Sequence, residues 1–188
     1  MTDTFEGIQW KTCTNWFNFI PTDGNKPMNY LEIGTLCGAN LFSVGKYYGT
    51  HTESKLHCID PWLVYEDYDE NYNQNDNYNI FLKNLENSSH KDKITVHRGF
   101  SHIEVPKLDN DYFDIIYIDG NHLSEYAMED AVLSFRKLKV GGYMIFDDYP
   151  FGNLDHPVRG IDGFTYGYHK RINVLGQSNG QLFIQKIK

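Results

Sequence analysis

Short apolar runs, separated by polar and glycine-bearing stretches, set the rhythm of the chain. Residues 30–33 form one such run and stop at Gly34, the mark of a short buried strand entering a turn. A helical pattern follows over 41–48. Residues 55–59 predict a second strand, closed by Asp60 and Pro61. A helix over 78–85 comes after a long polar insert, and Ile94–Arg98 predicts a third strand. Phe113–Ile118 (FDIIYI) is apolar on both faces and rich in β-branched residues, which predicts a central parallel strand. Residues 143–146 predict a fifth strand that runs straight into Asp147 and Asp148.

The strongest helical signal spans 124–138. Ala127, Met128, Ala131, Val132, Phe135 and Leu138 recur on one side, with Glu125 near the positive end and Arg136, Lys137 and Lys139 near the negative end. Gly141 and Gly142 predict its stop. Two closing strands, 171–175 and 181–187, meet through a Ser-Asn-Gly turn, a hairpin signal. Strands alternating with helices and a reversed ending predict one α/β domain over 1–188. Its expected form is a doubly wound, Rossmann-like, mostly parallel seven-stranded sheet with an antiparallel C-terminal hairpin strand. Segment 1–28, with Trp10, Trp16 and Phe17, reads as a helical cap that covers a cofactor or forms a homodimer contact. The acidic, Tyr- and Asn-rich insert 63–79 reads either as a solvated surface loop or as a lid.

Composition narrows the classes. A length of 188 residues suits one domain, and 40% hydrophobic with 22% charged residues is ordinary for a globular protein. No apolar run approaches about 18 residues, so no membrane span is expected. The opening MTDTFEGIQW lacks the basic and apolar regions of a secretory signal. Three cysteines without C-x-x-C spacing fit a reducing, cytoplasmic setting and argue against structural zinc. A net charge of −8 without a basic stripe argues against nucleic acid and anionic membranes as partners. The aromatic fraction of 15% reflects either an AT-rich genome or an aromatic, sugar-friendly surface.

Candidate chemistry gathers at the strand ends. Glu32-x-Gly34-x-x-x-Gly38 lies between a strand and a helix, where a nucleotide-binding turn needs glycine. The spacing departs from the dinucleotide fingerprint G-x-G-x-x-G, which crowds a pyrophosphate onto a helix N-terminus. A phosphate-free cofactor carrying a cationic sulfonium has no need of that nest and gains from carboxylates such as Glu32. Asp60 stands where a doubly wound sheet holds a ribose diol, although it equally suits a turn ahead of proline. Trp62 offers a stacking face. Asp119 ends the fourth strand, and Asp147 and Asp148 end the fifth. Adjacent strands would bring these ends to roughly 5 Å. Three carboxylates so close call for a cation, and hard oxygen ligands favour Mg²⁺ over zinc. Helix capping and solvated turns are the plainer account of the same acids. His122 is the candidate general base, since its ring titrates near neutrality. Gly99 and Ser101 follow the third strand, and Ser101 is placed to meet an adenine edge.

The order LEIGTLCG, CIDPW, RGFS, FDIIYIDGNH and VGGYMIFDDY resembles the class I S-adenosylmethionine-dependent methyltransferases. It is most similar to the branch with metal-dependent sugar and macrolide-sugar O-methyltransferases, and the late segment HPVRGIDGF adds to the likeness. The resemblance implies that Gly34 and Gly38 pass under the methionine moiety while Glu32 organises the turn. It implies that Asp60 holds the ribose and that Gly99 to Ser101 border the adenine. Asp119, Asp147 and Asp148 would ligate a divalent metal, Mg²⁺ by preference. Asp119 would thus serve catalysis, cofactor and metal together. Several relatives carry an acid where this chain has Asn121, which leaves the base as His122 or a metal-bound hydroxide.

The expected activity is S-adenosylmethionine-dependent, metal-assisted O-methylation of a sugar, glycan or other vicinal diol. A catechol-type acceptor is the close rival. A nicotinamide oxidoreductase and a non-catalytic cofactor-binding module of the same fold are the other classes.

Overall fold

The computed structural model describes residues 5–64, 73–150 and 157–188. Its strands are β1 (Asn29–Ile33), β2 (Lys55–Asp60), β3 (Ile94–Arg98), β4 (Phe113–Ile118), β5 (Leu138–Phe146), β6 (Ile172–Ser178) and β7 (Gln181–Lys186). They form one seven-stranded sheet in the order β3-β2-β1-β4-β5-β7-β6. The first five pair in parallel, and β7 runs antiparallel to both β5 and β6. This is the doubly wound, Rossmann-like sheet with a reversed ending that the strand pattern predicts. The helices are α1 (Ala39–Tyr47), α2 (Gln74–Asn87), α3 (Ser101–Glu104), α4 (Ser124–Phe135) and α5 (Val158–Gly167).

Burial on both faces of the sheet explains the apolar strands. Leu31, Ile116 and Phe146 pack with Phe135 of α4 and Phe164 of α5 on one side. Tyr30, Ile115 and Tyr117 pack with Leu41 of α1 and Trp16 on the other. Alternate residues of β4 thus serve two cores, as a parallel strand between helical layers must. The β6–β7 hairpin turns through Asn179 and Gly180, both at positive φ, as a two-residue hairpin turn requires.

The structure corrects five details. Helix α4 ends at Phe135, and Leu138 opens β5, because Phe113 pairs with Leu138. Gly141 and Gly142 therefore lie inside β5, where the register with β4 shifts, and do not stop a helix. Met128 is exposed, while Asp130 and Ser134 are buried on the core face of α4. Helix α5 had no prediction. Its Gly160 packs so tightly on α4 that a Cβ would stand 2.0 Å from the Ser124 carbonyl oxygen. Helix α2 starts earlier than predicted, within the polar insert, because Asn73 caps it by accepting from the Asn75 and Asp76 amides. The rest of the expected lid, 65–72, falls outside the described residues.

Between residues 5 and 28 the regular structure is one short 3₁₀ stretch, Cys13–Asn18. Trp16 there is fully buried, donates from Nε1 to Gln181 Oε1 at 3.0 Å, and packs on Tyr117 at 5.4 Å between ring centroids. Trp10 stays 68% exposed.

Candidate active site

Strand β1 lies between β2 and β4, so the chain leaves the carboxyl edge in opposite directions around it. Open α/β sheets bind ligands at such a point. Backbone hydrogen bonds lace the strand ends there: Gly34 N–H to Ile59 O at 2.9 Å, Asp119 N–H to Ile33 O at 2.8 Å, and Asp147 N–H to Ile118 O at 3.0 Å. Beside them lies a small cleft lined by Asp119, Gly120, His122, Phe146, Asp147 and Ile161.

The glycine turn is organised from within. Asp60 Oδ2 accepts from the Thr35 and Leu36 amides, both at 2.9 Å, and Oδ1 accepts from the Trp62 amide at 2.7 Å. Burial pushes the Asp60 carboxyl above its usual range, while the three amides pull the other way. The turn's N–H donors are therefore met by an internal carboxylate. In a dinucleotide site those donors face a phosphate. Gly38 caps α1 at φ 90°. Glu32 is buried beneath the turn, accepting from Tyr30 Oη at 2.6 Å and Asn40 Nδ2 at 2.9 Å. Burial raises its pKa to about 8 against these hydrogen bonds. Glu32 thus braces β1 to α1 from the core.

Trp62 is also enclosed. Its Nε1 donates to Leu36 O at 2.9 Å and its ring packs on Tyr78 and Phe81 at 4.9 and 4.8 Å. The expected stacking face is corrected: the indole is core, because α2 covers it. Gly99 joins Asp60 through its amide at 3.1 Å. Ser101 opens α3 and bonds to the buried Asp130 of α4, whose pKa burial lifts to about 7. Asp130 escaped the sequence reading. Its spacing, three from Ala127 and four from Ser134, was the available signal.

The strand ends bring Asp119 and Asp148 together with His122, while Asp147 is held by Lys11. Asp119 Oδ2 accepts from Tyr117 Oη at 3.2 Å. His122 Nε2 lies 3.3 Å from Asp148 and 3.7 Å from Asp119. One atom each of Asp119, His122 and Asp148 fall within 4.8 Å of one another. Asp148 sits at φ 54°, a left-handed conformation held at the site. Asp119 raises the pKa of His122 against the pull of burial, with help from Asp148 and Asp147. Burial and the Asp119 charge push Asp147 up to about 7, and Lys11 opposes them.

Lys11 is the group the sequence concealed. Its Nζ lies 2.9 Å from both oxygens of Asp147 and 3.1 Å from Asp148. Burial works against its charge, but the two carboxylates outweigh that and hold its pKa above the usual value. A cation is thus present among the acids, and the protein supplies it. No motif marks Lys11, because its contact is made across 136 positions of chain.

A family profile described as a methyltransferase domain matches residues 31–149. An uncharacterised protein of Acanthamoeba polyphaga mimivirus is 29% identical over 137 residues, 70% of this chain and 56% of that protein. The matched region thus spans little more than half of that relative. Among solved structures, an O-methyltransferase from Bacillus cereus in complex with SAH aligns with a TM-score of 0.65 at 19% identity, over 86% of this chain and 74% of that one. TomG from Streptomyces achromogenes, an O-methyltransferase of tomaymycin synthesis solved with SAM, gives 0.63 at 15%, over the same 86% and 74%. A candidate rRNA methylase from Clostridium thermocellum gives 0.68 at 13%, over 96% and 99%. These likenesses establish a shared class I methyltransferase fold.

Proposed function

The chain belongs to the methyltransferase-domain family, and on that premise we propose that it moves a methyl group from S-adenosylmethionine to a hydroxyl oxygen of a small-molecule or glycan acceptor. The observation that carries this reading is the hold of Asp60 on the Thr35 and Leu36 amides. It removes the donors a pyrophosphate needs and puts a carboxylate in their place, which suits a phosphate-free, cationic cofactor. The same feature weighs against a nicotinamide oxidoreductase. When bound, S-adenosylmethionine supplies an electrophilic methyl group on a sulfonium.

The chain's own residues supply the rest. Gly34 lets the backbone approach closely, and Gly99 and Ser101 border the adenine side. His122 takes the proton of the acceptor hydroxyl, and Asp119 and Asp148 stabilise the imidazolium that results. Tyr149, whose hydroxyl donates to Asp162 of α5 at 2.8 Å, helps close the cleft to water. The donor set fits a hard divalent ion such as Mg²⁺ in part. Asp119, Asp148 and His122 present atoms at suitable separations, while Asp147 is engaged by Lys11. Asp119 and Asp148, with Asp147 once Lys11 releases it, would hold that ion, and the chemistry it would supply is to acidify and orient two vicinal oxygens.

The acceptor we favour is a sugar hydroxyl or other vicinal diol. A net charge of −8 disfavours RNA. Among the described residues no helix is long and apolar enough to cross a membrane, and the three cysteines are free and buried, which suits a reducing compartment such as the cytoplasm. The test is a methyl-transfer assay with labelled S-adenosylmethionine over nucleotide sugars, glycans and catechols, with and without Mg²⁺. Calorimetry against NAD runs beside it. Binding of NAD and not of S-adenosylmethionine would overturn the proposal.

A further inference from the structure

Residues 5–12 form a strap along the carboxyl edge of the sheet. At one end the Glu6 amide donates to Asn84 Oδ1 at 2.9 Å, and Asn84 Nδ2 returns to Glu6 O at 2.9 Å and reaches Cys37 O at 3.0 Å. At the other end Lys11 closes on Asp147 and Asp148. Beyond Lys11 the chain is fixed in the core: the Cys13 amide donates to Ser43 Oγ at 3.0 Å, and Trp16 is buried. The strap is thus held upstream by the Glu6–Asn84 pair, downstream by packing, and across the site by one ammonium.

That ammonium occupies the space between Asp147 and Asp148, touching Oδ1 of Asp148 while Oδ2 faces His122, so an ion that used both acids would have to take its place. Its nitrogen lies at ordinary hydrogen-bond distance, 2.9, 2.9 and 3.1 Å, from three carboxylate oxygens. A divalent ion held by the same oxygens at about 2.1 Å would be repelled by a positive charge on its doorstep. Both cannot use the pair together. We propose that Lys11 is the resident cation of this acid pair, and that a divalent ion takes Asp147 and Asp148 only by displacing it. The Lys11 end of the strap is then a latch that metal binding releases, while Glu6 stays tied to Asn84. This rests on the reading of Asp119, Asp147 and Asp148 as the metal-holding set.

The test uses Mn²⁺ as probe on the whole chain, with binding followed by electron paramagnetic resonance. Lys11→Met keeps the stem and removes the charge; Lys11→Arg keeps the charge. The methionine variant is expected to bind Mn²⁺ at least tenfold more tightly than the wild type, and the arginine variant no more tightly. In the wild type, rising Mn²⁺ should speed amide hydrogen exchange at the Lys11 end of the strap and leave the Glu6 amide and the Trp16 region protected. Equal or weaker Mn²⁺ binding by a folded Lys11→Met chain overturns the proposal, as does an absence of binding by both. If Lys11→Met does not fold, the wild-type exchange decides alone: no acceleration at any Mn²⁺ concentration overturns it. S-adenosylmethionine calorimetry on the wild-type chain separates the two readings. Retained cofactor binding with failed competition removes the latch alone; loss of cofactor binding removes the proposed function.

Discussion

Gly34 and Asp119 stand so close at the ends of adjacent strands that a Cβ on Gly34 would lie 1.8 Å from the Asp119 carbonyl oxygen. Gly34 also holds φ at 82°, where a side chain is strained whatever the space. Gly34→Ala must therefore push the end of β1 from β4 and carry Asp119 with it. We expect a stability loss of about 1–3 kcal/mol by denaturant titration. Methyl transfer should fall at least tenfold. An alanine variant with full activity would mean that the two strand ends separate freely.

Asp60 answers three backbone amides with two oxygens. In Asp60→Asn one of those oxygens becomes an NH₂ that cannot accept, and at least one buried N–H is left unpaired. The cost should be about 1–3 kcal/mol. S-adenosylmethionine affinity should weaken along with stability, since the glycine turn loses its brace. Calorimetry on a chain still folded at the working temperature checks this. Undiminished affinity would separate the turn from the cofactor.

His122 works as a base only when neutral, and its neighbours raise its pKa above the ordinary 6.5. Activity should therefore be low at acid pH and climb through a value above 6.5, not below it. A His122→Gln variant should lose about 10²–10⁴-fold in kcat. It should also lose that acid limb of the pH profile. If the limb persists in the variant, another group is titrating.

The strands and the acid cluster were legible because they follow rules of short range or of fold topology. FDIIYI reads as a two-faced core strand, and strand neighbourhood alone brings Asp119 to Asp147. What stayed hidden depends on contacts between distant segments. Helix α5 contains three glycines, which argue against a helix until Gly160 is seen to permit close packing on α4. Helix α2 buries Asn77 and Asn84 where a core face should be apolar, because Asn84 bonds the strap. Trp62 looked like a ligand platform only while the helix that covers it was unplaced. Lys11 is an ordinary lysine until the fold delivers it to two aspartates.

Lys186 offers a test of the fold that leaves the site alone. It is 4% exposed on β7, and its Nζ donates to Asp111 Oδ1 at 3.0 Å, Phe135 O at 3.1 Å and Leu138 O at 2.6 Å. The ammonium thus meets the last carbonyls of α4 and the start of β5, at the sheet edge opposite the cleft. A cation suits the negative end of a helix, and the carbonyls it serves have no water to turn to. Lys186→Met fills similar volume but leaves them unpaired, so the apolar gain should not offset the loss. We expect about 1–3 kcal/mol of destabilisation. In a chain of this size that lowers Tm by roughly 2–12 °C. S-adenosylmethionine affinity measured well below Tm should not change. A variant as stable as the wild type would mean that the buried ammonium contributes no more than a well-packed thioether.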